Sequence, residues 1–184
     1  MIRRTALLVT AAFALGAAQL PRQAPDLMIE MPSGKNIQLS SYKGKPVVLA
    51  FILTSCSHCQ HTTGLLSKLQ QEYAPRGLQV IESAIETGAA AFVPRFVQQF
   101  NPPFPVGYNT NDTAQAFMQH SPMLIMSMPA VAFINRSGKI VAQYEGGDPD
   151  MIGDQEKNLR LRIEEILKPA AAGAPLKKAP AKKK

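Results

Sequence analysis

The sequence is short of the residues that staple or metallate a small protein, with two cysteines and three histidines in 184 residues. A single pair of cysteines three positions apart makes no disulfide framework, and a chain of this length buries enough apolar surface to fold as one domain without one. There is no internal repeat, which excludes a stacked-repeat architecture. No apolar run reaches the roughly 20 residues of a bilayer-spanning helix. Acidic residues are outnumbered, 13 against 20 basic ones, for a net charge of +7. That excess invites a nucleic-acid reading, but Arg3, Arg4, Lys177, Lys178, Lys182, Lys183 and Lys184 account for all of it. The 13 remaining basic residues balance the 13 acids, so the folded part is neutral and no nucleic-acid partner is expected.

What is present at the two ends explains the imbalance. The chain opens MIRRTALLVTAAFALGAAQ, in which two arginines precede an apolar run from Ala6 to Ala18 that closes on Gly16-Ala17-Ala18. This is the order of a secretory signal peptide, expected over residues 1–18, with the mature chain starting near Gln19. Left uncleaved, the same segment is a weak N-terminal anchor. From Pro169 the chain reads PAAAGAPLKKAPAKKK. This Ala/Pro/Lys-rich basic tail, 169–184, has too little apolar surface to offset the entropy of ordering and is expected to be disordered. A solubilising role is its plainer reading, and weak association with anionic lipid or cell-envelope polymers is the alternative. Residues 19–168 are expected to form the one domain of an exported protein, periplasmic or in the cell envelope.

Within that domain, Pro25–Met31 and Asn36–Leu39 flank a turn at Pro32-Ser33-Gly34-Lys35 and predict a short hairpin. Seven consecutive apolar residues, Val47 to Leu53, fit a strand buried on both faces. Leu65, Leu66, Leu69 and Tyr73 then recur at helical spacing until Ala74-Pro75-Arg76-Gly77 stops the pattern. A second strand, Leu78 to Ile85, precedes a helix from about Ala89 to Phe100, in which Pro94 suits only the first turn or a kink. A short extended piece at 105–107 and a short helix from Thr113 to Gln119 follow. Two further strands, Pro129–Asn135 and Lys139–Tyr144, meet at the turn Asn135-Arg136-Ser137-Gly138. A last helix, from about Asp154 to Leu167, carries Leu161, Ile163, Ile166 and Leu167 as its apolar stripe. The order predicts an α/β fold with a mixed central sheet flanked by helices.

Both cysteines and two of the histidines fall in Thr54-Ser55-Cys56-Ser57-His58-Cys59-Gln60-His61, at the junction of the first long strand and the first long helix. A structural staple across so small a loop would remove little chain entropy. Covalent haem attachment requires histidine directly after the second cysteine, and Gln60 stands there. Zinc has Cys56, Cys59, His58 and His61 as candidate ligands, but its second ligand pair is normally distant in sequence, and the only other histidine is His120. Copper(I) suits the thiols and the thioethers of Met123, Met126 and Met128, although methionines are more often packing residues. Thiol-disulfide exchange fits the context best. Cys56 at a helix start faces unpaired N–H groups and the positive end of the helix dipole, which stabilise a thiolate. It is the candidate nucleophile, Cys59 one turn on is the candidate resolving thiol, and His58 between them is placed to tune the thiolate. That chemistry requires no cofactor.

The stretch KNIQLSSYKGKPVVLAFILTSCSHC and the later MPAVAFINRSGKIVAQYEGG resemble the TlpA/ResA-like branch of the thioredoxin superfamily, the exported or membrane-tethered redoxins of bacteria. The resemblance runs from about Pro25 to Leu167. It implies a thioredoxin fold with an N-terminal hairpin extension and protein thiol-disulfide oxidoreductase activity. It also implies Cys56 as attacking thiol, Cys59 as resolving thiol and Pro129 as a cis-proline opposite them. Met128 would then offer its backbone to an extended segment of the partner, beside Ser55. The implied partners are cysteine-containing cell-envelope proteins and a redox-recycling partner.

Three positions depart from that pattern. The aromatic residue usual before the first cysteine is Ser55, which removes an apolar wall. The acid that thioredoxins often bury six positions before Cys56 is Ala50, and the glutamate that ResA-like proteins carry three positions after Cys59 is Thr62. Glu82 and Glu86 are the available substitutes, and a solvated carboxylate is the plainer reading of both. Peroxiredoxins share the KGKPVVL strand, but their signature would need proline at Leu49 and threonine at Leu53, so a peroxidase is disfavoured. The alternative to exchange is a copper(I)-binding or copper-delivery module using Cys56 and Cys59, with His58, His61 or Met128 as a further ligand.

Overall fold

A computed structural model describes residues 19–169, with Asp150 and Ile152 described in backbone only. The expected signal segment and residues 170–184 of the expected tail lie outside the described residues.

Strand β4 (Val47–Ile52) is buried at every position. Alternation along the strand sends its side chains to two separate cores. Val48, Ala50 and Ile52 pack with residues of helices α1 (Ser57–Tyr73), α2 (Ala89–Phe100) and α5 (Gln155–Leu167). Val47, Leu49 and Phe51 pack with α3 (Asn111–Met118) and with Leu27, Ile29 and Leu39 of the N-terminal extension. The uninterrupted apolar run thus marks a central strand covered on both sides, as expected.

Strand β4 lies parallel to β5 (Gln79–Ala84), which lies parallel to β6 (Val106–Tyr108). On its other side it pairs antiparallel with β7 (Ala130–Ile134), and β7 pairs antiparallel with β8 (Lys139–Tyr144). The expected hairpin exists as β2 (Met28–Ile29) and β3 (Ile37–Gln38), two residues each. An unanticipated edge strand, β1 (Arg22–Gln23), pairs with β8 and completes the sheet order β1-β8-β7-β4-β5-β6. Two residues carry no readable period, so only tertiary pairing defines this strand.

The helices differ from expectation in detail. After α1, Ala74–Arg76 forms a 3-10 turn that Gly77 ends with φ 92°, a left-handed conformation that favours glycine. Pro94 lies inside α2 beyond its first turn, where its ring nitrogen has no N–H to give the helix ladder. Helix α3 starts at Asn111 rather than Thr113, because the Thr110 hydroxyl caps the Thr113 N–H at 3.2 Å. A short helix α4 (Pro149–Ile152) precedes α5. In α5 the inward stripe is Leu159, Ile163, Ile166 and Leu167, all buried, whereas Leu161 is 61% exposed. Four residues separate Leu159 from Ile163, placing them on one face, and Leu161 falls opposite. No helix among the described residues is long and apolar enough to cross a membrane.

Candidate active site

The chain leaves the C-terminal end of β4 and turns directly into α1, and that junction holds both cysteines. Cys56 is the N-cap of α1, in extended conformation, and its Sγ accepts the Cys59 backbone N–H at 3.5 Å. Its own N–H donates to the Leu53 carbonyl at 3.1 Å. Cys59 is fully buried, and its Sγ accepts the Leu53 N–H at 3.5 Å. Both thiols are free. The two sulfurs therefore differ sharply: one caps a helix at a partly open surface, the other sits inside the first turn. Burial, the main cause, pushes the Cys59 thiol well above its ordinary range, with smaller contributions from Cys56 and Glu82.

The turn between strand and helix is held from both sides. The Glu86 carboxylate accepts the Thr54 N–H at 2.9 Å and also the Thr54 hydroxyl. The Gln60 side-chain amide donates to the Thr54 carbonyl at 2.9 Å. Glu86 is thus engaged with the active-site turn, contrary to the solvated reading.

Glu82 departs further from that reading. It lies within β5, is 0% exposed, and stands beside Ala50 in the parallel β4–β5 register. Register partners face the same side of a sheet, so Glu82 points with Ala50 into the α1 face. There its two oxygens lie 3.0 and 3.1 Å from the Thr63 hydroxyl, which is also 3.0 Å from the Cys59 carbonyl. Burial raises the Glu82 carboxyl to about 8, and the Thr63 hydrogen bond opposes the rise. A buried acid does underlie the cysteines, supplied by the neighbouring strand. Thr62 is also buried, but it serves as a tie: its hydroxyl donates to the His58 carbonyl at 2.9 Å and accepts the Gln155 amide at 3.0 Å.

The peptide bond between Met128 and Pro129 is cis. Pro129 is buried and Met128 half-buried, packed against both cores, while Met126 belongs to the core under α3 and Met123 is exposed. Of the three, Met128 alone packs against the core that holds Cys59. His58 and His61 both stand exposed on the first turns of α1, and Ser55 is exposed ahead of Cys56. Among the described residues, no group of three or more His, Cys, Asp or Glu side chains could hold a metal.

One part of the site carried no sequence signal. Glu145, just after β8, accepts the Ser127 N–H at 3.2 Å and lies 2.6 Å from His120 Nδ1. The Gly146 N–H donates to the Ser127 carbonyl at 3.1 Å. A Cβ on Gly146 would fall 2.2 Å from the Met128 carbonyl oxygen, so only glycine permits this close approach to the cis peptide. The pairing of β7 with β8 brings these groups together across some 20 residues of sequence, which spacing alone does not reveal.

The Redoxin family model matches residues 21–160. Thiol-disulfide oxidoreductase ResA of Bacillus thuringiensis (strain Al Hakam) is 30% identical over 140 residues, which cover 76% of this chain and 73% of that protein. The protein of the same name from Halalkalibacterium halodurans is 28% identical over 159 residues, 84% of this chain and 80% of its own. Among solved structures, a thiol:disulfide interchange protein of the thioredoxin family from Chlorobium tepidum TLS superposes with a TM-score of 0.68 at 21% identity, covering 83% of this chain and all of that one.

Proposed function

The chain belongs to the Redoxin family and is a protein thiol-disulfide oxidoreductase, and from that premise we propose that it is exported and exchanges a Cys56–Cys59 disulfide with cysteines of cell-envelope proteins. The observation that carries the assignment of roles is the asymmetry of the pair, Cys56 capping α1 and Cys59 buried behind it. In the reducing direction the Cys56 thiolate attacks one sulfur of a partner disulfide, forming the mixed disulfide and releasing the other partner sulfur as a thiolate. Cys59 then loses its proton and attacks Cys56 Sγ. The Cys56–partner bond breaks, the second partner thiol leaves, and the pair ends as a disulfide with the partner reduced by two electrons. The oxidising direction runs the same steps backwards, and the reduction potential of the pair sets which one prevails.

A buried thiol with a raised pKa needs a proton acceptor when it attacks. Glu82 has that role in this proposal. A carboxyl titrating near 8 beside the Thr63 hydroxyl is mostly protonated at neutral pH, and its ionised fraction, which grows as pH rises towards 8, is the form that takes the proton. Met128 and Pro129 supply the backbone edge for the partner, with Ser55 flanking it. His58, exposed on the first turn, adds positive charge near the Cys56 thiolate when protonated. Export rests on the N-terminal arginines and apolar run, and the partners follow from that compartment. The copper(I) reading keeps Met128 as its one thioether on the cysteine core, since Met123 is exposed and Met126 lies in the other core.

The test is a pair of variants reacted with glutathione disulfide. Cys56→Ser is expected to abolish exchange, and Cys59→Ser to stop at a stable mixed disulfide detected by mass. A Cys56→Ser protein that exchanges at the wild-type rate would overturn the proposal.

A further inference from the structure

Beside the two residues that lead into Cys56 lies an open cleft of about 240 Å³. Thr54 and Ser55 form one wall. The other is a single face of α2, in which Phe92, Arg95, Phe96 and Gln99 follow at helical i, i+3, i+4 and i+7 spacing. Phe96 is buried in the core, whereas Phe92 is 51% exposed and lines the cleft. Arg95 is exposed and forms no ion pair among the described residues. Ser55, which also lines the cleft, ends at one hydroxyl and takes up little of its space.

We propose that this cleft is a specificity subsite for the partner, taking an aromatic or large aliphatic side chain against Phe92 and an acidic side chain against Arg95, both from the segment flanking the partner's reactive cysteine. The inference rests on the exchange reading, because the partner's register is fixed by its bond to Cys56. Ser55 and Thr54 are one and two residues from that sulfur, and an extended segment advances about 3.3 Å per residue, so partner residues two or three away from the cysteine reach the cleft. The volume suits one large side chain. The free guanidinium selects the sign of the neighbouring charge, since a carboxylate meets it with charge-assisted hydrogen bonds and an ammonium is repelled.

The probes are eight-residue peptides with one cysteine, presented as mixed disulfides with glutathione, in four versions. The position two residues from cysteine is Phe or Ala, and the position three residues away is Asp or Lys. Rates of reduction by the reduced protein are each divided by that protein's rate with glutathione disulfide. Wild type is expected to favour the Phe/Asp peptide over the Ala/Lys peptide by roughly 10- to 100-fold. Arg95→Glu is expected to invert the Asp/Lys preference, with Arg95→Gln erasing it, and Phe92→Ala to erase the Phe/Ala preference. Ser55→Trp, which fills the cleft, is expected to erase both. Four peptides reacting alike with wild type, or a preference that survives Arg95→Gln and Phe92→Ala, would overturn the subsite. Failure of wild type to react with glutathione disulfide itself would instead bring down the exchange reading.

Discussion

The two ends of the β4–β5 strand pair differ in what their polar groups are free to do. At the end where β4 begins, a cleft of about 420 Å³ is bordered by Tyr42, Lys43, Lys45 and Arg136. It is the larger of the two clefts and the more cationic, yet Arg136 and Lys45 are engaged within the fold. The Arg136 guanidinium donates to the Arg76 carbonyl at 2.9 Å and the Gly44 carbonyl at 3.3 Å, and Lys45 Nζ lies 5.8 Å above the Tyr42 ring. At the other end the cleft is little more than half that volume, and reactive groups are held but not consumed. Cys56 caps a helix, Glu82 is buried with one hydroxyl partner, and Arg95 forms no ion pair among the described residues. The difference follows from topology, since helix N-termini collect at the C-terminal ends of parallel strands and bring unpaired N–H groups and positive dipole ends with them. Cavity size is a poor guide to chemistry here, and the availability of groups a better one.

The comparison can be broken most forcefully at the near end. Gly146→Ala should force the Met128–Pro129 peptide to move, because the new Cβ meets backbone rather than a flexible side chain. A loss of roughly 2–4 kcal/mol in urea unfolding and at least a tenfold drop in exchange are expected. Wild-type stability and rate would show that the cis peptide tolerates displacement.

Glu82→Gln comes next. With its folded pKa near 8 against an ordinary 4.5, the wild-type carboxyl is protonated in the fold at pH values where the unfolded chain has released the proton. Stability should therefore fall as pH rises from about 4.5 to about 8 and level off above, by an amount on the order of 4–5 kcal/mol. The glutamine variant should lack this slope and be the more stable protein at pH 9. Its exchange rate near pH 7 should drop by roughly 10- to 100-fold through the resolving step. Mixed disulfide with wild-type Cys59 should accumulate meanwhile. Parallel stability curves for the two proteins would remove Glu82 from the account.

The smallest effect belongs to the far end. Lys45→Ala, made at the larger cleft, should leave exchange with glutathione disulfide within twofold of wild type and cost no more than about 1 kcal/mol of stability. A tenfold loss of exchange there would erase the contrast between the two ends.

Much of this near end was legible in the sequence, and the remainder was hidden for identifiable reasons. The run Val47 to Leu53, the turn at Asn135–Gly138 and the cysteines at a strand-helix junction are local patterns, and local patterns survive into the fold. Glu82 read as a solvated carboxylate because one sequence does not state which residues share a register. Once β4 and β5 align, the acid missing at Ala50 reappears one strand over. Leu161 is apolar but stands two positions from both Leu159 and Ile163, about 200° round the helix, so composition places it in the stripe while helical geometry turns it to solvent. The Glu145–Ser127 and Gly146–Met128 contacts depend on the β7–β8 pairing and had no sequence signature at all.

The central claim is that one sulfur is presented and the other withheld. It is tested most directly by treating the reduced protein with iodoacetamide at neutral pH and following each cysteine by peptide mass at early times. The account predicts that Cys56 is alkylated first, at least tenfold faster than the buried Cys59. Equal rates, or faster modification of Cys59, would contradict it.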